Sequence, residues 1–184
     1  MIGFSDSSVF ERKPGAINLG FATQSRMKIL MIDDEPLNLA LLEDMLSESG
    51  YARTKSVNDS RLTLETINTF APDLILLDLM MPHVDGFAIL EALRSSVREI
   101  FLPVIVLTAD ANEETKLRAL RSGATDFLLK PFYETEVLLR MRNMLEIRRL
   151  HLQLDMQRAA FEEAVRDRTD ELREAHSELE QARA

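Results

Sequence analysis

The stretch Asp73-Leu74-Ile75-Leu76-Leu77-Asp78-Leu79-Met80-Met81-Pro82 decides the fold. Its apolar run is too short for a helix and reads as a buried strand. The strand delivers one carboxylate, Asp78, to its C-terminal edge, where open α/β sheets place their chemistry. Neighbouring runs end the same way. Lys28-Ile29-Leu30-Met31-Ile32 leads into Asp33-Asp34, Pro103-Val104-Ile105-Val106-Leu107 into Thr108, and Phe127-Leu128-Leu129 into Lys130-Pro131. Three acids, a hydroxyl and a lysine on one rim point to phosphoryl chemistry with a divalent metal.

The wider chain has 184 residues, 46% of them hydrophobic, enough for one core and something extra. No apolar stretch reaches the length of a transmembrane helix, and the N-terminus lacks the apolar core of a secretory signal. Cysteine is absent, which excludes disulfides and thiolate metal sites and fits a cytoplasmic address. A formal charge of −9 argues against a direct nucleic-acid binder, which needs a basic face. No membrane partner is expected either.

Three regions are expected: a flexible arm over 1–26, an α/β domain over 27–144 and a helix over 145–184. In the α/β domain, Pro36 opens a helix whose buried stripe is expected at Leu37, Ala40, Leu41 and Met45, closed by Gly50. Tyr51 to Val57 reads as a strand. Asn58 or Asp59 caps a helix carrying Leu62, Leu64, Ile67 and Phe70. Asp85-Gly86 turns into a helix with Phe87, Ile89, Leu90 and Leu93, and a further helix spans about Asn112 to Arg121 before Gly123. Strands alternating with helices in this way require a parallel sheet covered on both faces.

From Glu134 to Ala184 neither Pro nor Gly interrupts the chain. A heptad seam runs through Ile147, His151, Leu154, Arg158, Phe161, Val165, Arg168, Leu172, Ala175, Leu179 and Ala182. Glu162 and Arg166 add a helical ion pair. About 50 residues at 1.5 Å reach roughly 75 Å, more than a small domain can cover. A parallel homodimeric coiled coil built on Ile147, Leu154, Phe161, Val165, Leu172 and Leu179 is therefore expected. A folded-back helix and a frayed tail are the alternatives.

Asp33-Asp34, Asp78 with Met81-Pro82 and Asp85-Gly86, Thr108-Ala109, and Lys130-Pro131-Phe132 together resemble the receiver domain of two-component response regulators, from about Met27 to Met144. The resemblance implies a doubly wound, five-stranded parallel sheet of flavodoxin-like type, order 2-1-3-4-5. It implies a Mg²⁺ cofactor held by Asp34 and Asp78, by Asp33 through water, and by the Met80 backbone carbonyl. Asp78 would be the phosphoacceptor, Lys130 and Thr108 would bind the phosphoryl oxygens, and Lys130-Pro131 would be a cis peptide. Phe127 would be the aromatic that turns inward on phosphorylation; many relatives carry Tyr there. Glu35 is expected near the metal, either behind its direct ligands or solvated, and His83 is expected to be exposed and not a catalytic base.

The implied partner is a sensor histidine kinase or phosphotransfer protein. The implied role is a phosphorelay response regulator that assists its own phosphoryl transfer and is not otherwise an enzyme. The helical segment 146–172 resembles linkers that precede output domains such as HD-GYP-type cyclic-di-GMP phosphodiesterases. Two other readings compete. A haloacid-dehalogenase-like phosphatase needs Asp-x-Asp after the first strand, where this chain has Asp33-Asp34-Glu35. A receiver-like scaffold would dimerise without being phosphorylated.

Overall fold

The computed structural model describes residues 26–95 and 101–183. The N-terminal arm expected over 1–26 lies, but for Arg26, outside them. Strands β1 (Lys28–Ile32), β2 (Arg53–Val57), β3 (Leu74–Asp78), β4 (Val104–Thr108) and β5 (Asp126–Leu129) form one parallel sheet in the order β2-β1-β3-β4-β5. Between them run α1 (Pro36–Glu48), a 3₁₀ turn (Ser60–Leu62), α2 (Thr63–Phe70), α3 (Gly86–Ser95) and α4 (Glu113–Ser122). Helix α5 (Glu134–Arg183) comes after β5. This is the expected doubly wound sheet with a long C-terminal helix.

Strand side chains alternate between two apolar layers, as a period of two demands. Ile29, Met31, Leu74, Leu76, Ile105 and Leu107 face α1 and the first turns of α5, meeting Leu42, Leu46, Val137 and Met141. Leu30, Ile32, Ile75, Leu77, Val104 and Val106 face the other way, onto Ile67, Phe87, Ile89, Leu90 and Ala119. β3 is wholly buried, so its Asp78 is fixed by a strand that cannot shift without opening both layers.

Several local expectations need correcting. The buried face of α1 is Leu39, Leu42, Met45 and Leu46; Leu37 is 78% exposed and Leu41 55%, and Ala40 is exposed too. Leucines stand on two rows of this helix. The row that won gathers four large side chains within about 120° of arc, whereas the other includes an alanine. In the next helix Leu62 and Leu64 are exposed, and Thr63, Thr66 and Ile67 are buried. The 3₁₀ turn, capped by Asp59 accepting from the Arg61 N–H, takes up the first residues and rotates the α2 face. β2 begins at Arg53, because the Tyr51 N–H is spent closing α1 on the Leu46 carbonyl. Asn112, expected near the start of α4, caps it by accepting from the Glu114 N–H, and Gly123 ends it as expected, at φ +111°.

Helix α5 leaves the sheet at its far end. Arg148 donates to the Phe101 carbonyl and lies 3.6 Å from the Asp73 carboxylate, and His151 stacks on Phe101 with ring centroids 4.9 Å apart. His151, expected on the seam, therefore packs on its own domain: α5 passes beside the entrance to β4 before it clears the sheet. Farther on, Leu154, Phe161 and Leu172 are each more than 60% exposed; Ile147 and Val165 are exposed less fully. The Leu179 side chain lies outside those described. Glu162 pairs with Arg158 at 2.8 Å, not with Arg166. Among the described residues no helix is long and apolar enough to cross a membrane.

Candidate phosphoacceptor site

Because β1 and β3 are adjacent and parallel, their C-terminal ends bring Asp33-Asp34 beside Asp78. One carboxylate oxygen from each of the three lies within 4.8 Å of the others. Like charges at that spacing repel by about 3–4 kcal/mol a pair at an effective dielectric of 20, so a cation is needed. Lys130, just beyond β5, supplies one: its Nζ donates to Asp33 Oδ2 at 2.6 Å and to Asp78 Oδ2 at 2.8 Å. Burial alone would pull the Lys130 pKa down, but its hydrogen bonds to Asp33 and Asp78 outweigh that and raise it above the ordinary lysine value.

The three acids are not equivalent. Asp33 is fully buried and committed: Oδ1 accepts from the Glu35 N–H (3.0 Å), and Asn38 Nδ2 reaches both oxygens (3.0 and 3.1 Å). Asp78 accepts from the Met80 N–H through Oδ1 at 3.2 Å and keeps 10% of its side chain open to solvent. Asp34 is half-buried, and no hydrogen bond among the described residues claims its carboxylate. The Asp34 oxygens are therefore free, each Asp78 oxygen accepts one hydrogen bond and keeps a lone pair, and Asp33 is better placed to act through a water.

An octahedral Mg²⁺ binds oxygens at about 2.0–2.1 Å, which sets neighbouring ligand oxygens about 3 Å apart and opposite ones about 4 Å. The acid set fits that requirement with a small inward movement, and its all-oxygen chemistry suits a hard cation. This pocket is typical of a Mg²⁺ site.

Thr108 is 1% exposed at the end of β4, one residue past Leu107, which stands opposite Asp78 in the register. Its Oγ1 accepts from the Asp110 N–H at 3.1 Å. Phe127 is half-buried on β5 among the α3 and α4 side chains, with Lys116 Nζ 4.9 Å from its ring centroid. The Lys130–Pro131 peptide is cis, as the resemblance implied. Glu35 and His83 are exposed. The acids, Thr108 and Lys130 thus share one rim, Met80 adjoins it through its amide, and the seam residues of α5 lie away from it.

Sequence reasoning misses three features. Asn38 holds both Asp33 oxygens from the first turn of α1, and its position five residues after Asp33 is the available signal. Ser60 reaches into the loop after Asp78. Gly86 reads in sequence as a turn residue, but it matters for contact: a Cβ there would sit 2.5 Å from the Asp78 carbonyl oxygen and 2.7 Å from Leu79 Cα.

Comparison with known proteins agrees with this geometry. The family described as Response regulator receiver domain matches residues 29–142. The chain is 39% identical over 118 residues to the DNA-binding dual master transcriptional regulator RpaA of Synechocystis, covering 64% of this chain and 48% of that protein. It is 40% identical over 118 residues to the transcriptional regulatory protein PcoR of Escherichia coli, covering 64% and 51%. The chain thus spans about half the length of the curated relatives it matches. Among solved structures, a putative response regulator from Chloroflexus aurantiacus superposes with a TM-score of 0.61 at 28% identity, covering 65% of this chain and 98% of that one.

Proposed function

The chain belongs to the response regulator receiver family, and on that premise we propose that Asp78 accepts a phosphoryl group and that α5 conveys the resulting change to a dimer. A receiver implies a cognate histidine kinase, and the donor we propose is a phosphohistidine on that kinase or on a phosphotransfer protein. The observation carrying the reading is the Lys130 ammonium bridging Asp33 and Asp78 inside the acid cluster. That arrangement poises one carboxylate beside a cation that can follow the charge as it moves onto phosphate.

Asp34, Asp78 and the Met80 carbonyl would hold Mg²⁺ directly and Asp33 through water; the ion would offset charge between the Asp78 oxygen and the incoming phosphoryl oxygens. Asp78 attacks phosphorus in line, the histidine nitrogen leaves, and an acyl phosphate forms. Lys130 then exchanges its Asp78 contact for a phosphoryl oxygen, and the Thr108 hydroxyl donates to another. Nearly two negative charges now stand at the rim. Thr108 moves toward them, and Phe127, with no hydroxyl to anchor it, shifts with it by packing alone.

For output, a second copy of this chain would cover the apolar stripe Ile147, Leu154, Phe161, Val165 and Leu172, with Leu179 continuing it. The stripe is exposed in one copy and keeps heptad spacing. Arg158 and Arg168 interrupt it and pair within the helix with Glu162 and Glu171, which leaves the seam imperfect enough to adopt two packings. The resemblance to linkers before output domains suggests that a longer protein carries the effector, a cyclic-di-GMP phosphodiesterase being one such class. The test is treatment with acetyl phosphate and Mg²⁺, then cysteine crosslinking along 147–172 in this cysteine-free chain. One phosphoryl group per chain and a crosslinking pattern that changes with it support the reading. Steady hydrolysis of phosphate esters, or no adduct, overturns it.

A further inference from the structure

We propose that Ser60 is a positioning residue that sets the backbone of the loop bordering the phosphoacceptor, and through it the affinity of the acid pocket for Mg²⁺. The inference rests on the metal reading above and deepens it. Ser60 opens the 3₁₀ turn after β2, twenty-odd residues from the loop in sequence, and is 4% exposed. Its Oγ donates to the Pro82 carbonyl at 2.6 Å and accepts the Val84 N–H at 3.0 Å. A serine hydroxyl has one proton and two lone pairs, and here it uses the proton and one lone pair on the two ends of a single turn.

That turn is strained. The Val84 N–H also reaches the Pro82 carbonyl at 2.9 Å, closing a three-residue turn around His83, which sits at φ +72°. A residue with a β-carbon disfavours that region, and such turns persist only where their surroundings over-determine them. The loop's other ties are local: Met80 N–H to Asp78 Oδ1, and Gly86 N–H to the Leu79 carbonyl at 3.1 Å. Ser60 grips the same loop from a different strand's exit. It thereby fixes the path between Met80, whose carbonyl is assigned to the metal, and Gly86, whose backbone presses on Asp78. Without the hydroxyl, His83 is free to leave the left-handed region. The Met80 carbonyl then loses its preset direction.

The experiment uses the full chain in four forms: wild type, Ser60→Ala, His83→Gly, and the double variant. Mg²⁺ affinity is measured by titration calorimetry, and amide hydrogen exchange is monitored in EDTA. Ser60→Ala is expected to weaken Mg²⁺ binding about five-fold, the equivalent of one net hydrogen bond, and to speed Val84 exchange about as much. Amides of β3 are expected to stay protected. His83→Gly removes the strain, so the double variant is expected to recover affinity to within about two-fold of His83→Gly alone. Unchanged Mg²⁺ affinity in Ser60→Ala, unchanged Val84 exchange, or loss of β3 protection without rescue by glycine overturns the proposal. A wild type that does not bind Mg²⁺ sinks the metal reading and with it the affinity claim, while the Val84 exchange still decides whether Ser60 fixes the loop.

Discussion

Replacing Lys130 by Met keeps the length of the side chain and removes its charge. In the native protein the ammonium is 2.6 Å from Asp33 Oδ2 and 2.8 Å from Asp78 Oδ2, with only 17% of its side chain exposed. At an effective dielectric of 20 each attraction is about 6 kcal/mol. Desolvation of the ammonium and of both carboxylates offsets most of that sum, and removing one partner of such a buried cluster costs about 3–5 kcal/mol. The three carboxylates then face one another within 4.8 Å with no cation between them. A divalent ion can take the place of the missing charge, and binding to the native state alone adds about 2.7 kcal/mol at a concentration 100 times its Kd. Denaturant unfolding should therefore show Lys130→Met destabilised by about 3 kcal/mol or more in EDTA. Saturating Mg²⁺ should recover more stability in the variant than it adds to the wild type. Equal losses with and without Mg²⁺, or none in EDTA, would refute the view that this lysine neutralises the acid cluster.

The same geometry carries three more outcomes. Gly86→Ala should cost about 2–3 kcal/mol in denaturant unfolding, because its Cβ would meet backbone atoms at Asp78 and Leu79 that cannot swing away; it should slow phosphoryl uptake as well. Lys130 has a folded-state pKa above its unfolded value of 10.5, so its stabilisation is complete below that pH and fades as pH rises through the folded value. Unfolding midpoints should fall at alkaline pH more steeply in the wild type than in Lys130→Met, a difference that cancels the ionisation of Tyr51 common to both. If the proposed coiled-coil dimer forms, Leu154→Asp with Phe161→Asp should convert it to a monomer in sedimentation while leaving the α/β domain's melting unchanged, since both side chains stand clear of its core.

The sheet and the rim were legible in the sequence for a shared reason. β1, β3 and β4 are apolar enough to be buried on both faces, and each ends abruptly at a polar residue, so run and terminus together mark the strand and its chemistry. The rotation of α1 was not legible, because Leu37 and Leu41 satisfy helical spacing as well as Leu39, Leu42 and Leu46 do. Only packing against the sheet chooses between them. Contacts between segments far apart in sequence were equally hidden. Ser60 on the Pro82 loop joins residues whose types are common in any turn, and the stacking of His151 on Phe101 depends on where α5 leaves the sheet. Asn38 lay closer to view, five residues past an acid that already stood out, yet its role needs the Asp33 side chain to fold back over the start of α1.

Intact mass measured after incubation with acetyl phosphate decides most directly whether the acids and Lys130 form one working centre. A single phosphoryl group should appear with Mg²⁺ present and vanish both in EDTA and in Asp78→Asn. An adduct that forms without Mg²⁺, or that survives the loss of the Asp78 carboxylate, would contradict the account.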